Sequence, residues 1–529
     1  MHSSRSALRC TCFLSMACLA LPTVMTRASA TSGCEGLLRL RLVNARITSA
    51  TNVAAGEFPA PAGTSAATSK FYATLPSFCH VTATLTPSND SNITMEVWLP
   101  QKNWNGRLEA VGNGGWAGAI PLSSLASVLL SGFAAAGTDS GHIGNNAEFA
   151  LGHPEKLIDF GYRSIHETAI QSKVIINAYY RTPARFAYFN GCSQGGRQGL
   201  SEAQRYPQDF NGIIAGASAI NQMSMHAART ALNLEVNKDK ESVIPKAKYE
   251  MMHHAVIEAC DGLDEVKDGV IENPVSCKFD YSMLLCKHAD NPGCLTKGQV
   301  ESAKAMTSPL KDSKTGGVLF AGHLMPGSEL GWGTIGGTQP LSLALSGMQN
   351  VVFRDRKWDY HTLNLSTDLE RASTSDGGVT MTTDSNLKPF FDRGGKLLLY
   401  HGWWDAQVNP LNSINYYQDV VKAVGQRAAA DSIALFMVPG MNHCAGGPGA
   451  DMFDKLKVIK DWVENGKTPT RIIASHSTNG KVDKTRPLCP YGQTAKYNGT
   501  GDFNDAANFT CREVSSAQPS GRLNPHHPQ

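Results

Sequence analysis

The chain has 529 residues, of which 42% are hydrophobic and 18% charged, and its formal net charge is only +3. That length and apolar content suit one large domain with an insertion, or two to three ordinary domains, each with a real core. The near-neutral balance and the lack of a basic run exclude a dedicated nucleic-acid binder.

Arg5 and Arg9 precede the apolar stretch "CFLSMACLALPTVM", which ends in "TRASA". A basic start, a short apolar core and a small-residue A-x-A ending predict a signal peptide over residues 1–30. The stretch is shorter than the roughly 20 residues of a spanning helix, so a membrane anchor is the lesser reading. No later segment is apolar enough to span. The mature chain is therefore expected to be soluble and exported, secreted or periplasmic, with no membrane partner. It retains ten cysteines: Cys34, Cys79, Cys192, Cys260, Cys277, Cys286, Cys294, Cys444, Cys489 and Cys511. An even number in an exported chain predicts a disulfide framework. Without a CxxC pair, a cysteine-built zinc site is not expected.

From Gly106 onward, short apolar runs alternate with amphipathic stretches. "GRLEAVGNGG" and "SGFAAAGTDSGH" read as buried strands ending in glycine-rich loops. "SIHETAIQSKVIINAYY" has helical spacing, "RFAYFNGCS" is a strand, "RQGLSEAQRYP" a helix and "FNGIIAGAS" another buried strand. This alternation predicts a mostly parallel sheet covered on both faces. It breaks over residues 219–384, which are loop-rich and hold four of the cysteines, and returns with "GGKLLLYHGWWD", "NSINYYQDVVKAVGQ", "SIALFMVPG" and "DMFDKLKVIKDWVENG". The organisation read from this is an α/β domain in two parts, 31–218 and 385–529, interrupted by an inserted domain over 219–384.

Ser193 sits in a G-x-S-x-G pattern between a strand and a helix, the setting of a nucleophile on a sharp turn. Such a turn exposes the hydroxyl and aims the first helical N–H groups at a developing oxyanion. Asp405 follows the strand "KLLLYHG", and His443 lies in a loop after the next strand. The order Ser, Asp, His, with Asp and His after consecutive strands, is that of an α/β-hydrolase triad. Taken singly, Asp405 reads as a turn residue and His443 as a loop histidine; their joint placement argues for chemistry. Cys192 precedes Ser193 and Cys444 follows His443, so a disulfide between them would tie the serine turn to the histidine loop. The alternative for Cys192 is a free thiol.

The segments "GCSQGG", "HGWWD" and "MNHCAGGPG" resemble the tannase family, which includes tannases, feruloyl esterases and the hydrolase of mono(2-hydroxyethyl) terephthalate. The match is the CS-D-HC arrangement of Cys192-Ser193, Asp405 and His443-Cys444. "WNGRLEAVGNGGWAG", "FGYRSIHETA" and "TRPLCPYGQTAKYNGTGDFNDAANFTC" are similar as well. The resemblance implies an α/β-hydrolase fold with a large inserted lid, and an oxyanion hole from the backbone N–H groups of Gln194 and Gly115, the latter placed to within one residue. It also implies a structural calcium site in "CDGLDEVKDGVIEN", held by the carboxylates of Asp261, Asp264 and Asp268 and the carbonyls of Val266 and Val270; oxygen-only donors suit calcium. On the residues alone that loop is a solvated acidic turn. The disulfides implied are Cys34–Cys79, Cys192–Cys444, Cys260–Cys277, Cys286–Cys294 and Cys489–Cys511.

The expected activity is hydrolysis of esters of hydroxylated aromatic acids, feruloyl or galloyl in type, through a serine acyl-enzyme, with a small aromatic ester as the only partner. No obligate protein partner is evident. The alternatives are a hydrolase of terephthalate monoesters, for which Arg354 or Arg356 would meet the substrate carboxylate, a non-catalytic ligand-binding protein on the same fold, and a serine peptidase. Trp332, Trp358, Trp403 and Trp404 are candidates for an aromatic wall, although tryptophans are more often packing residues.

Overall fold

The computed structural model describes residues 33–514, apart from 313 and 323. The expected leader, residues 1–30, lies outside the described residues. A nine-stranded sheet organises the chain: β1 (Ala45–Val53), β2 (Phe78–Leu85), β3 (Ile93–Pro100), β4 (Arg107–Val111), β5 (Ala134–Thr138), β6 (Phe186–Cys192), β7 (Gly212–Gly216), β8 (Lys396–Gly402) and β9 (Ile433–Val438). Their spatial order is β1-β2-β3-β5-β4-β6-β7-β8-β9. From β5 to β9 neighbouring strands pair in parallel, whereas β1, β2, β3 and β5 pair antiparallel. Strands β1, β2 and β3 precede Gly106 and extend the sheet beyond the region from which the parallel part was predicted. Along β2, burial alternates with period two, as a sheet face requires.

Consecutive residues of the central strands point to opposite faces, and both faces are covered. Phe189, Ile213, Leu397 and Leu399 share one apolar cluster with Ile165 and Ala169 of α2 (Ser164–Tyr180), Leu200 of α3 (Gln194–Arg205) and Ile414 of α6 (Pro410–Val424). Tyr188, Ile214 and Leu398 join Leu125 and Leu129 of α1 (Leu122–Leu130) and Ile459 and Trp462 of α7 (Lys455–Asn465) on the other. Each fully buried side chain of this size stabilises by about 1.5–3 kcal/mol relative to exposure.

Between β7 and β8 the chain leaves the sheet and returns beside it, with Gly212 paired to Lys396. The ends of this excursion clasp each other: Asn221 bridges Met381, and the Thr382 N–H donates to Ile220 O at 2.8 Å. Inside it, Leu232 of α4 (Gln222–Val236) and Met252 of α5 (Lys246–Cys260) pack with Trp332 and Ile335. A second cluster joins Met348, Val351 and Val352 to Trp116 and Phe160 of the sheet-bearing part. All five disulfides are those implied by the family resemblance, joining Cys34 to Cys79, Cys192 to Cys444, Cys260 to Cys277, Cys286 to Cys294 and Cys489 to Cys511. Among the described residues no helix is long and apolar enough to cross a membrane.

Candidate active site

Ser193 occupies the turn between β6 and α3 with φ of 63° and ψ of −120°. A non-glycine residue there is strained and persists only where its surroundings force it. The surroundings are glycine. A Cβ on Gly191 would lie 2.7 Å from Gly195 Cα, and one on Gly112 would lie 2.6 Å from the same atom. The strand end, the helix start and the Gly112–Gly115 loop thus meet backbone to backbone. Ser193 is half-buried, and its Oγ makes no hydrogen bond among the described residues.

The neighbouring donors are equally unengaged. Gln194 opens α3, where the first N–H groups have no intrahelical acceptor, and neither its N–H nor that of Gly115 makes a hydrogen bond among the described residues. The loop bearing Gly115 is anchored by residues not singled out in the sequence. Gln198 of α3 accepts from Asn113 N at 2.9 Å, and Asn113 Nδ2 donates to Thr138 O at 2.7 Å. Gly115 has φ of 53°, and an added Cβ would sit 3.2 Å from Leu343 of the inserted segment. Trp116 Nε1 donates to Leu343 O at 2.9 Å, so the insertion covers this loop directly.

Asp405, fully buried after β8, receives His443 Nδ1 at 2.6 Å on Oδ2. Its Oδ1 accepts from the N–H groups of Gln407 and Val408 at 2.7 and 2.8 Å. His401 adds a further contact: its Nε2 lies 3.1 Å from both Asp405 Oδ2 and Val408 O, while its Nδ1 lies 2.7 Å from Ser413 Oγ. Both partners of Nε2 are acceptors, so Nε2 carries the proton and Nδ1 accepts from Ser413. Burial pushes the Asp405 carboxyl up, but the electrostatic pull of His443 and the hydrogen bonds from His401 and His443 outweigh it, holding the group well below the usual carboxylate range. His401 stands in the "HGWWD" segment four residues before Asp405; that spacing across a strand end was its only signal.

The Asp405 carboxylate fixes the proton on His443 Nδ1 and leaves Nε2 as an acceptor. The Cys192–Cys444 disulfide, with Cα atoms 6.0 Å apart, joins the residues adjoining Ser193 and His443. Cys444 has φ of 66°, a second left-handed residue at the same junction. An oriented imidazole, an unengaged hydroxyl and two free N–H groups are the components of nucleophilic acyl transfer.

The acidic loop after α5 brings Asp261, Asp264 and Asp268 into mutual electrostatic reach. Burial raises the Asp264 carboxyl to about 6, with Asp268 and Asp261 adding to the rise, and burial followed by Asp268 raises Asp261. Val266 and Val270 are buried, yet their carbonyls accept no hydrogen bond among the described residues. These are oxygen donors of the kind a hard dication takes, but the three carboxylates do not all approach within 4.8 Å of one another. Asp268 also meets Lys484 at 3.1 Å and Arg486, which tie the loop to the C-terminal strands.

A family model described as "Tannase and feruloyl esterase" matches residues 79–512. The chain belongs to that family. Over 93% of this chain and of its own length, an uncharacterised esterase of Xanthomonas campestris is 35% identical. A probable feruloyl esterase B-1 of Aspergillus terreus is 33% identical over 82% of this chain and 86% of its own. The crystal structure of feruloyl esterase B from Aspergillus oryzae superposes with a TM-score of 0.83 at 30% identity, covering 90% of this chain and 99% of that one. This member of the tannase and feruloyl esterase family is accordingly an α/β-hydrolase and a carboxylic ester hydrolase.

The aromatic-wall candidates divide. Trp332 is fully buried and donates from Nε1 to Ser328 Oγ at 2.9 Å, and Trp403 is buried against the sheet cluster. Both are packing residues. Trp358 is half-buried and stacks on Phe353 with centroids 4.2 Å apart; Trp404 meets His253 edge-on at 5.5 Å. Arg354 is exposed and donates to Ser375 O, and Arg356 pairs with Glu148 at 3.5 Å.

Proposed function

We propose that this esterase cleaves esters of hydroxylated aromatic acids by a two-step acyl-enzyme route using Ser193, His443 and Asp405. His443 Nε2 takes the Ser193 proton as Oγ attacks the ester carbonyl, while Asp405 steadies the imidazolium. The N–H groups of Gln194 and Gly115 hold the tetrahedral oxyanion. The alcohol leaves with the proton from His443, and water then releases the acid by the same path. The observation that carries this reading is the 2.6 Å contact of His443 with buried Asp405, on a loop tied by disulfide to the serine turn. The aromatic acyl group is supported by the relatives, among them a probable feruloyl esterase and the solved feruloyl esterase B. Both arginines considered for a terephthalate carboxylate are surface residues already engaged, so no observation favours the monoester. The test is kcat/KM on methyl ferulate, methyl gallate and mono(2-hydroxyethyl) terephthalate. Ser193→Ala should lower it by on the order of 10⁴-fold or more while remaining folded; substantial retained turnover would sink the assignment.

The same reading includes export, supported by the five disulfides, and a structural calcium ion held by Asp261, Asp264, Asp268 and the carbonyls of Val266 and Val270. Bound calcium would neutralise the loop's acids and hold it against the C-terminal strands, with no part in ester chemistry. At about 100 times its dissociation constant it adds about 2.7 kcal/mol to stability. Chelation should therefore lower Tm in the wild type and leave Asp264→Asn unmoved; equal responses in the two proteins would refute the site.

A further inference from the structure

A second cluster of chemistry-bearing side chains lies along α3, about 13 Å from Ser193 at the rise of a helix. His166 of α2, Glu202 of α3 and Asp209 in the turn before β7 converge, each offering a ligand atom within 4.8 Å of the other two. His166 Nδ1 is 2.6 Å from Asp209 Oδ2, and its ring stacks on Tyr206 with centroids 3.6 Å apart. Glu202 is 1% exposed, and neither of its carboxyl oxygens has a hydrogen-bond partner. Lys173 donates to Asp209 O and stands 3.8 Å from Asp209 Oδ1, but among the described residues no cation lies within 4.0 Å of Glu202.

Glu202 is a buried carboxyl with no partner of its own, set beside Asp209, whose Oδ2 is engaged by His166; such an arrangement is costly and is relieved either by a proton shared between the acids or by a cation. The third member decides between them. A shared proton needs only the two acids, whereas here an imidazole held flat by Tyr206 turns a ring nitrogen into the same space. One nitrogen and carboxylate oxygens form a borderline donor set that suits zinc or a similar first-row ion better than calcium or magnesium.

We propose that His166, Glu202 and Asp209 bind one divalent transition-metal ion, a structural clamp joining α2, α3 and the entry of β7. The ion would stiffen the frame behind the serine turn without touching substrate, and the site is independent of the acyl-enzyme reading.

The test uses metal-stripped full-length protein in excess calcium chloride, so that the acidic loop after α5 does not compete for the probe. Zinc chloride is titrated by calorimetry and by thermal melting, and cobalt(II) by visible absorption, on the wild type, His166→Gln and Glu202→Gln. The wild type should bind one more equivalent of zinc than either variant, melt higher with zinc, and show cobalt d–d bands that both variants lack. Ester hydrolysis by the two variants reports that they are folded. Equal zinc uptake by all three proteins would overturn the proposal. So would a wild type indifferent to zinc beside a Glu202→Gln variant of equal or higher Tm, the pattern of a shared proton.

Discussion

Replacing Cys192 and Cys444 by serine together separates two jobs that one bond performs. The bond closes a loop of 252 positions. The chain-entropy model assigns such a closure about 5.5 kcal/mol at 25 °C, and measured losses for native disulfides run at about 2–5 kcal/mol. The Cys260–Cys277 and Cys286–Cys294 bridges lie inside the loop, but the logarithmic dependence on length makes their shortening of it negligible. The second job is placement. Ser193 and Cys444 both hold left-handed backbone, with φ of 63° and 66°. Without the bond the His443 loop is free to relax, and a displacement of about 1 Å can lower a rate by about a hundredfold. The assay is urea unfolding beside kcat/KM on an aryl ester, measured well below the melting range so that both proteins are folded. The expected result is a fall in unfolding free energy of several kcal/mol together with a fall in kcat/KM of about a hundredfold. A destabilised variant with unchanged kcat/KM would refute placement, and no change in either would refute the brace altogether.

Glu109 forms part of the lining of a cavity of about 680 Å³ on the Cys192 side of the turn, with Oε1 accepting from Asn190 and Oε2 unpartnered. Burial raises its carboxyl from 4.5 to about 7. The folded state therefore keeps a proton that the unfolded chain releases, and stability falls as pH rises from 4.5 through 7 and then levels. Glu109→Gln should match the wild type near pH 4 and exceed it by on the order of 3 kcal/mol at pH 8 in urea melts; a difference independent of pH would contradict this. His401→Ala removes one donor from Asp405, and we expect kcat to fall by about tenfold with KM steady, partly recovered in His401→Gln. A change confined to KM would show that His401 does not act through Asp405.

The parallel half of the fold was legible because its strands are continuous apolar runs separated by helical periodicity. The predicted helix "SIHETAIQSKVIINAYY" coincides with Ser164–Tyr180. The serine turn was legible because its geometry demands glycine at fixed offsets. The antiparallel strands β1 to β3 were not read, since β1 and β2 mix polar and apolar residues and lack the continuous apolar runs that marked the parallel strands. The roles of His401, Gln198 and Asn113 were hidden for another reason. Each acts through a partner that only the folded chain brings near, as Gln198 meets Asn113 across 85 positions. Trp332 was ambiguous because composition does not separate a tryptophan facing substrate from one sealed in a core.

The order of the elements along the chain has a consequence for biogenesis. Ser193 is made early, whereas Asp405 and His443 are made only after the whole excursion that leaves β7 and returns at β8. On the proposed mechanism, a nascent chain can form the serine turn before the base and acid that would activate it exist. Because Cys444 must also reach Cys192, that long-range contact awaits both synthesis past residue 444 and oxidation of the two thiols. On the proposed mechanism, activity is thus expected to rise by about a hundredfold when this one pair of thiols is oxidised.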